Sequence, residues 1–176
     1  TIHQQDQELL SPGTRIRAAE IALLAELGYA EVNVSAKPVV SILATGDELV
    51  PAGEPLGPGQ IRNSNAPMLM SQVQVAGGVP KNAGIGRDQL EDLREKVKTG
   101  LRGDFLLLTG GVSAGEKDLV PHVLKECGVR EIFHKVRVKP GKPVWFGVQE
   151  KPEGQKTYVF GLPGNPVSSM LCFELF

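Results

Sequence analysis

Residues 39–48 read VVSILATGDE, and residues 105–111 read FLLLTGG. In each, a short, almost wholly apolar run passes directly into a glycine turn. An apolar run this short, without polar alternation, is the pattern of a strand buried on both faces, as found where helices cover both sides of a parallel sheet. Working outward from these two runs, helical periods fill the gaps. Asn63, Ser64 and Asn65 precede a face of Leu69, Val73 and Ala76 that Gly77 and Gly78 close. Asp88 opens a charged stretch with an inner stripe of Leu90, Leu93, Val97 and Leu101. Asp118 precedes Val120, Val123, Leu124 and Cys127, with Pro121 in the first turn, where proline is tolerated. Residues 79–85 supply a further strand. Strands alternating with helices of this length predict an α/β fold of three layers, α/β/α, on a mainly parallel sheet. The last third departs from this alternation. Residues 132–138, 144–148 and 157–160 have strand character with only turn residues between them, which predicts a mixed or antiparallel edge.

Before residue 37 the signals are weaker. Ser11-Pro12-Gly13-Thr14 precede Ile16, Ala19, Leu23, Leu24 and Leu27, a helical face closed by Gly28; residues 31–35 alternate, and Lys37-Pro38 reads as a joint. The expected division is a helix-containing segment over 1–36, the remnant of a preceding domain or linker, and an α/β domain over 37–176. The sequence does not begin with methionine, and residues 166–176 stop inside an apolar run without a helix stop signal. It therefore reads as a piece of a longer protein, cut at its C-terminal helix.

The composition bounds the function. The 176 residues are 41% hydrophobic, enough for one domain with a real core, and carry a formal charge of −1 from 19 basic and 20 acidic residues. Such balance argues against non-specific binding to nucleic acid or an anionic membrane, so any anion site must be local. No run approaches the ~18 apolar residues of a membrane span. Cys127 and Cys172 stand singly, without the spacing of a zinc site or a disulfide framework, which fits a reducing, cytoplasmic setting. His3, His122 and His134 have no metal-ligand spacing.

In an open parallel sheet, ligands bind outside the carboxyl ends of the strands. Three loops leave apolar strands here. In Thr45-Gly46-Asp47-Glu48, two adjacent carboxylates behind a glycine suit Mg²⁺ coordination or acid–base work, or simply cap a turn. In the stretch from Thr109, Gly110 and Gly111 through Ser113 and Gly115 to Asp118, glycines let the backbone approach a phosphate at a helix N-terminus. Glu116 stands where a Walker A lysine would, and Ser113 with Glu116 also fits a capping box. In Leu162-Pro163-Gly164-Asn165-Pro166-Val167-Ser168, two prolines stiffen a turn that fixes Asn165 and Ser168, either for a ligand or as an ordinary helix start at Pro166. A fourth feature is cationic: residues 134–139 read HKVRVK, which as a strand sets Lys135, Arg137 and Lys139 on one face, with Lys142 following. Such a row is a solvated strand edge or, beside glycine loops, an anion clamp.

Together, TGDEL at 45–49, GGVSAGEKD at 110–118, KPGKP at 139–143 and LPGNPVS at 162–168 resemble the MoeA/gephyrin E-domain family, the molybdopterin molybdenumtransferases. The resemblance runs from about Ser11 to Phe176 and covers that family's molybdopterin-binding domain. It implies insertion of molybdenum from molybdate into adenylylated molybdopterin, with Mg²⁺-dependent release of AMP, by a homodimer of the full-length protein. Asp47, Glu48, Asp88 and Asp118 then correspond to acidic active-site positions, with Asp47, Glu48 and Asp118 toward the metal. The segment from Thr109 to Ser113 would hold the pterin phosphate or adenylate, and Lys139, Gly141, Lys142 and Ser168, with the Pro163 and Pro166 turn, the oxyanion. Thr45, Gly46, Ser64, Asn65, Gly115, Glu116, Gly164 and Asn165 complete the implied binding set. Many members read DSN where this chain has Asn63-Ser64-Asn65, so an amide replaces an acid. Two other functions share such a domain: molybdopterin adenylyltransfer, one step earlier, and a non-catalytic scaffold of the gephyrin type.

Overall fold

A computed structural model of the chain describes residues 7–112 and 119–176. The chain divides into two compact units, residues 1–36 and 37–176. In the first, helix α1 (Ala18–Glu26) starts where the Arg17 backbone N–H donates to Glu20 Oε2 at 2.8 Å, and none of its side chains is buried. Residues 31–35 take up no regular structure.

The second unit carries strands β1 (Val39–Thr45), β2 (Leu49–Val50), β3 (Ile61–Arg62), β4 (Val79–Gly86), β5 (Phe105–Thr109), β6 (Val129–His134), β7 (Trp145–Glu150) and β8 (Lys156–Leu162). Its helices are α2 (Asn65–Val75), α3 (Leu90–Gly100), α4 (Leu119–Glu126) and α5 (Pro166–Leu175). Six strands form one sheet in the order β4-β1-β5-β8-β7-β6. The pairings from β4 to β8 are parallel and the two involving β7 are antiparallel, so the sheet is parallel with an antiparallel edge.

The period-two alternation of strand side chains distributes the apolar runs between two cores. Leu43, Leu106 and Leu108 join Leu93 and Val97 of α3 and Val123 and Leu124 of α4 on one face. Ile42 and Leu107 join Leu69 and Val73 of α2 and Cys172 of α5 on the other. Every one of these side chains is buried, which is why β1 and β5 contain no polar alternation. Each contributes about 1.5–3 kcal/mol by leaving water.

Two expectations need correction. The strand expected over 132–138 is β6, which starts three residues earlier and stops at His134. Lys135 is left-handed (φ +71), and residues 135–143 fold back as an irregular loop. Pro140 and Pro143 have no N–H to give a sheet ladder, which explains why pairing does not continue. The glycine- and proline-rich stretch over residues 51–59 forms no strand. It is bracketed by the short parallel pair β2 and β3, in which Ile61 N–H donates to Glu48 O at 2.8 Å. The helix expected from Asp88 begins at Leu90, with Gln89 as its flanking residue.

Candidate functional site at the carboxyl rim of the sheet

The register of the four parallel strands brings their carboxyl ends to one level. Thr45 pairs with Gly86, Ala44 with Thr109, and Thr109 with Leu162. From β1 the chain runs through α2 on one face to β4; from β5 it runs through α4 on the other face toward β6. The connections thus diverge between β1 and β5, the kind of crevice in which open α/β sheets bind ligands. Gly110 and Gly111 sit in that crevice with φ +88 and +62. A Cβ at Gly110 would stand 2.7 Å from the Thr45 carbonyl oxygen, and one at Gly111 would stand 2.9 Å from Thr45 Oγ1. Glycine is therefore required twice over, by backbone conformation and by the closeness of β1.

Three loops meet there. The Gly110 N–H donates to Leu162 O at 3.3 Å, and the Thr45 hydroxyl donates to Thr109 O at 3.4 Å. Asn65, buried at the start of α2, donates from Nδ2 to Thr109 Oγ1 at 2.7 Å and to the Gly164 carbonyl at 2.8 Å. Gly164 lies with its Cβ position 3.8 Å from Gly110 Cα. Asn165 caps α5, its Oδ1 accepting from the Ser168 N–H at 3.2 Å and the Ser168 hydroxyl at 3.4 Å. Pro163 is buried, Pro166 and Ser64 are exposed, and Ser168 is half-buried. Asn63, the amide in place of an acid, accepts the Ala66 N–H through Oδ1 at 3.1 Å. An amide oxygen performs this cap as a carboxylate would.

On the β4 side, Asp47 and Glu48 are exposed in the turn after β1, and the Glu48 carboxylate folds back over the α-carbon of Gly46. The Asp88 N–H donates to Asp47 Oδ1 at 3.1 Å, so two of the expected acids are adjacent. Arg87 joins them: its guanidinium donates to Asp47 O at 3.1 Å and Leu49 O at 3.0 Å. The Arg87 N–H donates in turn to Asp92 Oδ2 at 2.8 Å, and Lys96 Nζ lies 2.6 Å from Asp92 Oδ1. That backbone donor, followed by the lysine hydrogen bond, holds the Asp92 carboxyl below the usual carboxylate range. Ser113, Gly115, Glu116 and Asp118 lie outside the described residues. Among the described residues no three His, Cys, Asp or Glu side chains gather as a metal cluster.

The cationic row is a loop, not a strand face. Lys135, Arg137, Lys139 and Lys142 are exposed, while Val136 and Val138 are half-buried. The loop closes on itself through Lys135 N–H to Val144 O at 2.8 Å and Val136 N–H to Lys142 O at 2.9 Å. It seats on α5, where Gly141 leaves only 2.6 Å between its Cβ position and Cys172 Sγ. His134 Nε2 lies 3.0 Å from Val112 O, tying the start of this loop to the exit of β5. Lys139 and Lys142 form no ion pair among the described residues, leaving two uncompensated cations. Elsewhere, an apolar hollow of about 270 Å³ between α2, α5 and the sheet contains none of the expected site residues.

Arg87 is the residue that sequence reasoning passed over. An arginine in a loop carries no local signal of the two carbonyls it reaches.

Residues 41–176 match the family described as "Probable molybdopterin binding domain". The chain belongs to that family. Among curated proteins, it is 42% identical over 174 residues to the molybdopterin molybdenumtransferase of Bacillus subtilis (strain 168), an alignment covering 98% of this chain and 39% of that protein. Against the protein of the same name from Nostoc sp. (strain PCC 7120) it is 37% identical over 175 residues, 99% of this chain and 40% of the relative. The chain thus spans about two fifths of the length of these curated relatives. Among solved structures, the molybdopterin biosynthesis moea protein from Pyrococcus horikosii superposes with a TM-score of 0.77 at 35% identity, over 93% of this chain and 39% of that one. MoaB from Pyrococcus furiosus, described as tungsten cofactor synthesizing, superposes at 0.61 with 13% identity, over 81% and 91% of the two chains, and shares the fold alone. No helix among the described residues is long and apolar enough to cross a membrane.

Proposed function

We propose that the protein transfers molybdenum from molybdate to adenylylated molybdopterin and releases AMP, with this chain as its molybdopterin-binding domain. The observation that carries the reading is the crevice between β1 and β5. There Asn65 ties the turn after β5 to the turn after β8, and Gly110 lies against Thr45. The curated relatives named for this activity, and the motif resemblance at 45–49, 110–118, 139–143 and 162–168, support it.

In this reading the glycine turn Thr109–Gly111 brings backbone close to the phosphate of the pterin or the adenylate. Lys139 and Lys142 supply positive charge to the doubly charged groups, and Ser168 at the head of α5 supplies a hydroxyl to the oxyanion. A molybdate dianion and a phosphate need such donors in place beforehand, since oriented N–H groups and cations stabilise transferred charge best when they need not reorganise. Asp47 and Glu48, with Asp118, would hold Mg²⁺. Adjacent carboxylates at an exposed rim are the hard oxygen donors this ion takes while keeping several waters. When bound, the ion neutralises phosphate charge and polarises the phosphoryl group. Asp88 positions Asp47 through its N–H. The full-length protein works in this reading as a cytoplasmic homodimer; the free thiols of Cys127 and Cys172 suit that compartment.

The experiment is incubation of the full-length protein with adenylylated molybdopterin, molybdate and Mg²⁺. AMP release that requires all three is the expected result. Consumption of ATP with formation of adenylylated molybdopterin would reassign the protein to the preceding step.

A further inference from the structure

Asn65 is 8% exposed, and its two amide N–H bonds are both spent on the crevice: one on Thr109 Oγ1 at 2.7 Å, one on the Gly164 carbonyl at 2.8 Å. A carbonyl can only accept, so the orientation of the amide is fixed by Gly164. Thr109 ends β5 and Gly164 lies between β8 and α5, whereas Asn65 begins α2; the three are separated in sequence by 44 and 99 residues. The Asn65 Oδ1 atom is buried and has no hydrogen-bond partner among the described residues. An unpaired buried acceptor is unfavourable, because the group has left water without a replacement donor. What the amide gives the fold is its two donors, and these act on the end of β5 and on the turn after β8.

We propose that Asn65 is the positioning residue of this site, its amide locking the turn after β5 and the turn after β8 into the one geometry that the transfer step requires. The inference rests on the functional reading above and deepens it. The two turns are the ones assigned to the pterin phosphate or adenylate and to the oxyanion. A misplacement of about 1 Å between reacting groups costs on the order of 10²-fold in rate. Lys139 and Lys142, which supply charge to the ligand, are not partners of Asn65, so its loss falls more on turnover than on affinity.

The test compares the full-length wild type with Asn65→Ala and Asn65→Asp. Both variants should release AMP with kcat lowered roughly 10- to 100-fold near pH 8, while KM for adenylylated molybdopterin and molybdate stays within about threefold. A carboxyl buried against the Gly164 carbonyl is driven toward its protonated form, and a protonated carboxyl is a donor. The ratio of Asn65→Asp to wild-type kcat should therefore rise roughly tenfold between about pH 8 and pH 5.5, while the Asn65→Ala ratio stays flat. A merely structural role would lower kcat only in step with the folded fraction of each variant, and that result overturns the proposal, as does wild-type kcat in either. If Asn65→Ala fails to fold, the acid recovery of Asn65→Asp decides alone. If the wild type releases no AMP, the functional reading has failed, and amide hydrogen exchange decides the clamp separately. Faster exchange of both 109–112 and 162–168 in Asn65→Asp supports it, and exchange unchanged there overturns it.

Discussion

The Arg87 guanidinium donates to the carbonyl oxygen of Asp47 at 3.1 Å, and the same nitrogen reaches the Leu49 carbonyl at 3.0 Å. One side chain on the exit of β4 thereby fixes the turn after β1 on both sides of Glu48. The bond to Leu49 is partly buried, where a hydrogen bond from a charged donor is worth about 1.5–3 kcal/mol. Arg87→Met keeps the apolar stem and removes the donors. It should lower the thermal midpoint by a few degrees and reduce AMP release by the full-length protein about tenfold or more, because Asp47 is no longer held. A variant with wild-type turnover would show that the turn is rigid without it.

Asp47 itself is exposed and outside both cores. Asp47→Asn retains an Oδ1 to accept the Asp88 N–H, so the fold and the thermal midpoint should be preserved. Mg²⁺-dependent AMP release should fall by about 10²-fold, the ordinary scale for losing one charged group at a reacting centre. Titrating Mg²⁺ against turnover checks the role: a rise in the half-saturating concentration is expected, and an unchanged titration refutes it.

Beneath Arg87, Asp92 titrates below the usual carboxylate range, held there first by the Arg87 N–H and then by Lys96. A depressed carboxylate contributes stability that is complete above its unfolded value, near pH 4, and is lost as pH falls through the folded value. Asp92→Asn should therefore melt about 1–3 °C below the wild type at pH 7, the scale of a pair that is one third exposed. The two proteins should converge once the pH has fallen below the folded value. A gap that persists at acid pH would locate the effect in packing instead of charge.

The parts of this fold legible in sequence were those fixed by local pattern. The runs at 39–44 and 105–108 announced central strands because both faces of β1 and β5 are covered, which removes polar alternation. The glycine turns were visible because Gly110 occupies a backbone region that other residues adopt only with strain. The row from Lys135 to Lys139 misled because its alternation is real: the valines are half-buried and the cations exposed, but in a looped-back segment. Burial alternation identifies a two-sided segment and not its hydrogen bonding. The links that make the site, from Asn65 to Gly164 and from Arg87 to Asp47, span 99 and 40 residues, and pairing at that range leaves no trace in a single sequence.

Ser168 offers a test of which ligand belongs to the head of α5. Its N–H already caps the helix through Asn165 Oδ1, and its hydroxyl adds only a long 3.4 Å contact. Ser168→Ala should leave the thermal midpoint within about 2 °C. It should raise KM for molybdate several-fold more than KM for adenylylated molybdopterin. Equal increases would remove Ser168 from the oxyanion and place its effect on the crevice as a whole.

Gly110 and Gly164 face each other, yet their substitutions should differ in kind. At Gly110 (φ +88) a methyl group would lie 2.7 Å from the Thr45 carbonyl oxygen, a backbone atom of the central strand that cannot yield without disturbing β1. Left-handed strain of about 1–3 kcal/mol then adds to overpacking of similar size. Gly110→Ala should lower the thermal midpoint by about 5–20 °C. At Gly164 the nearest atom to an added methyl group is Gly110 Cα at 3.8 Å, an ordinary contact. Gly164→Ala should therefore fold as the wild type does while placing a methyl group over the turn that faces the crevice. Its cost should appear as raised KM, several-fold, with little change in melting. If both variants melted alike and bound alike, the two turns would not be lining a common crevice, and the assignment of both to one ligand site would fall with them.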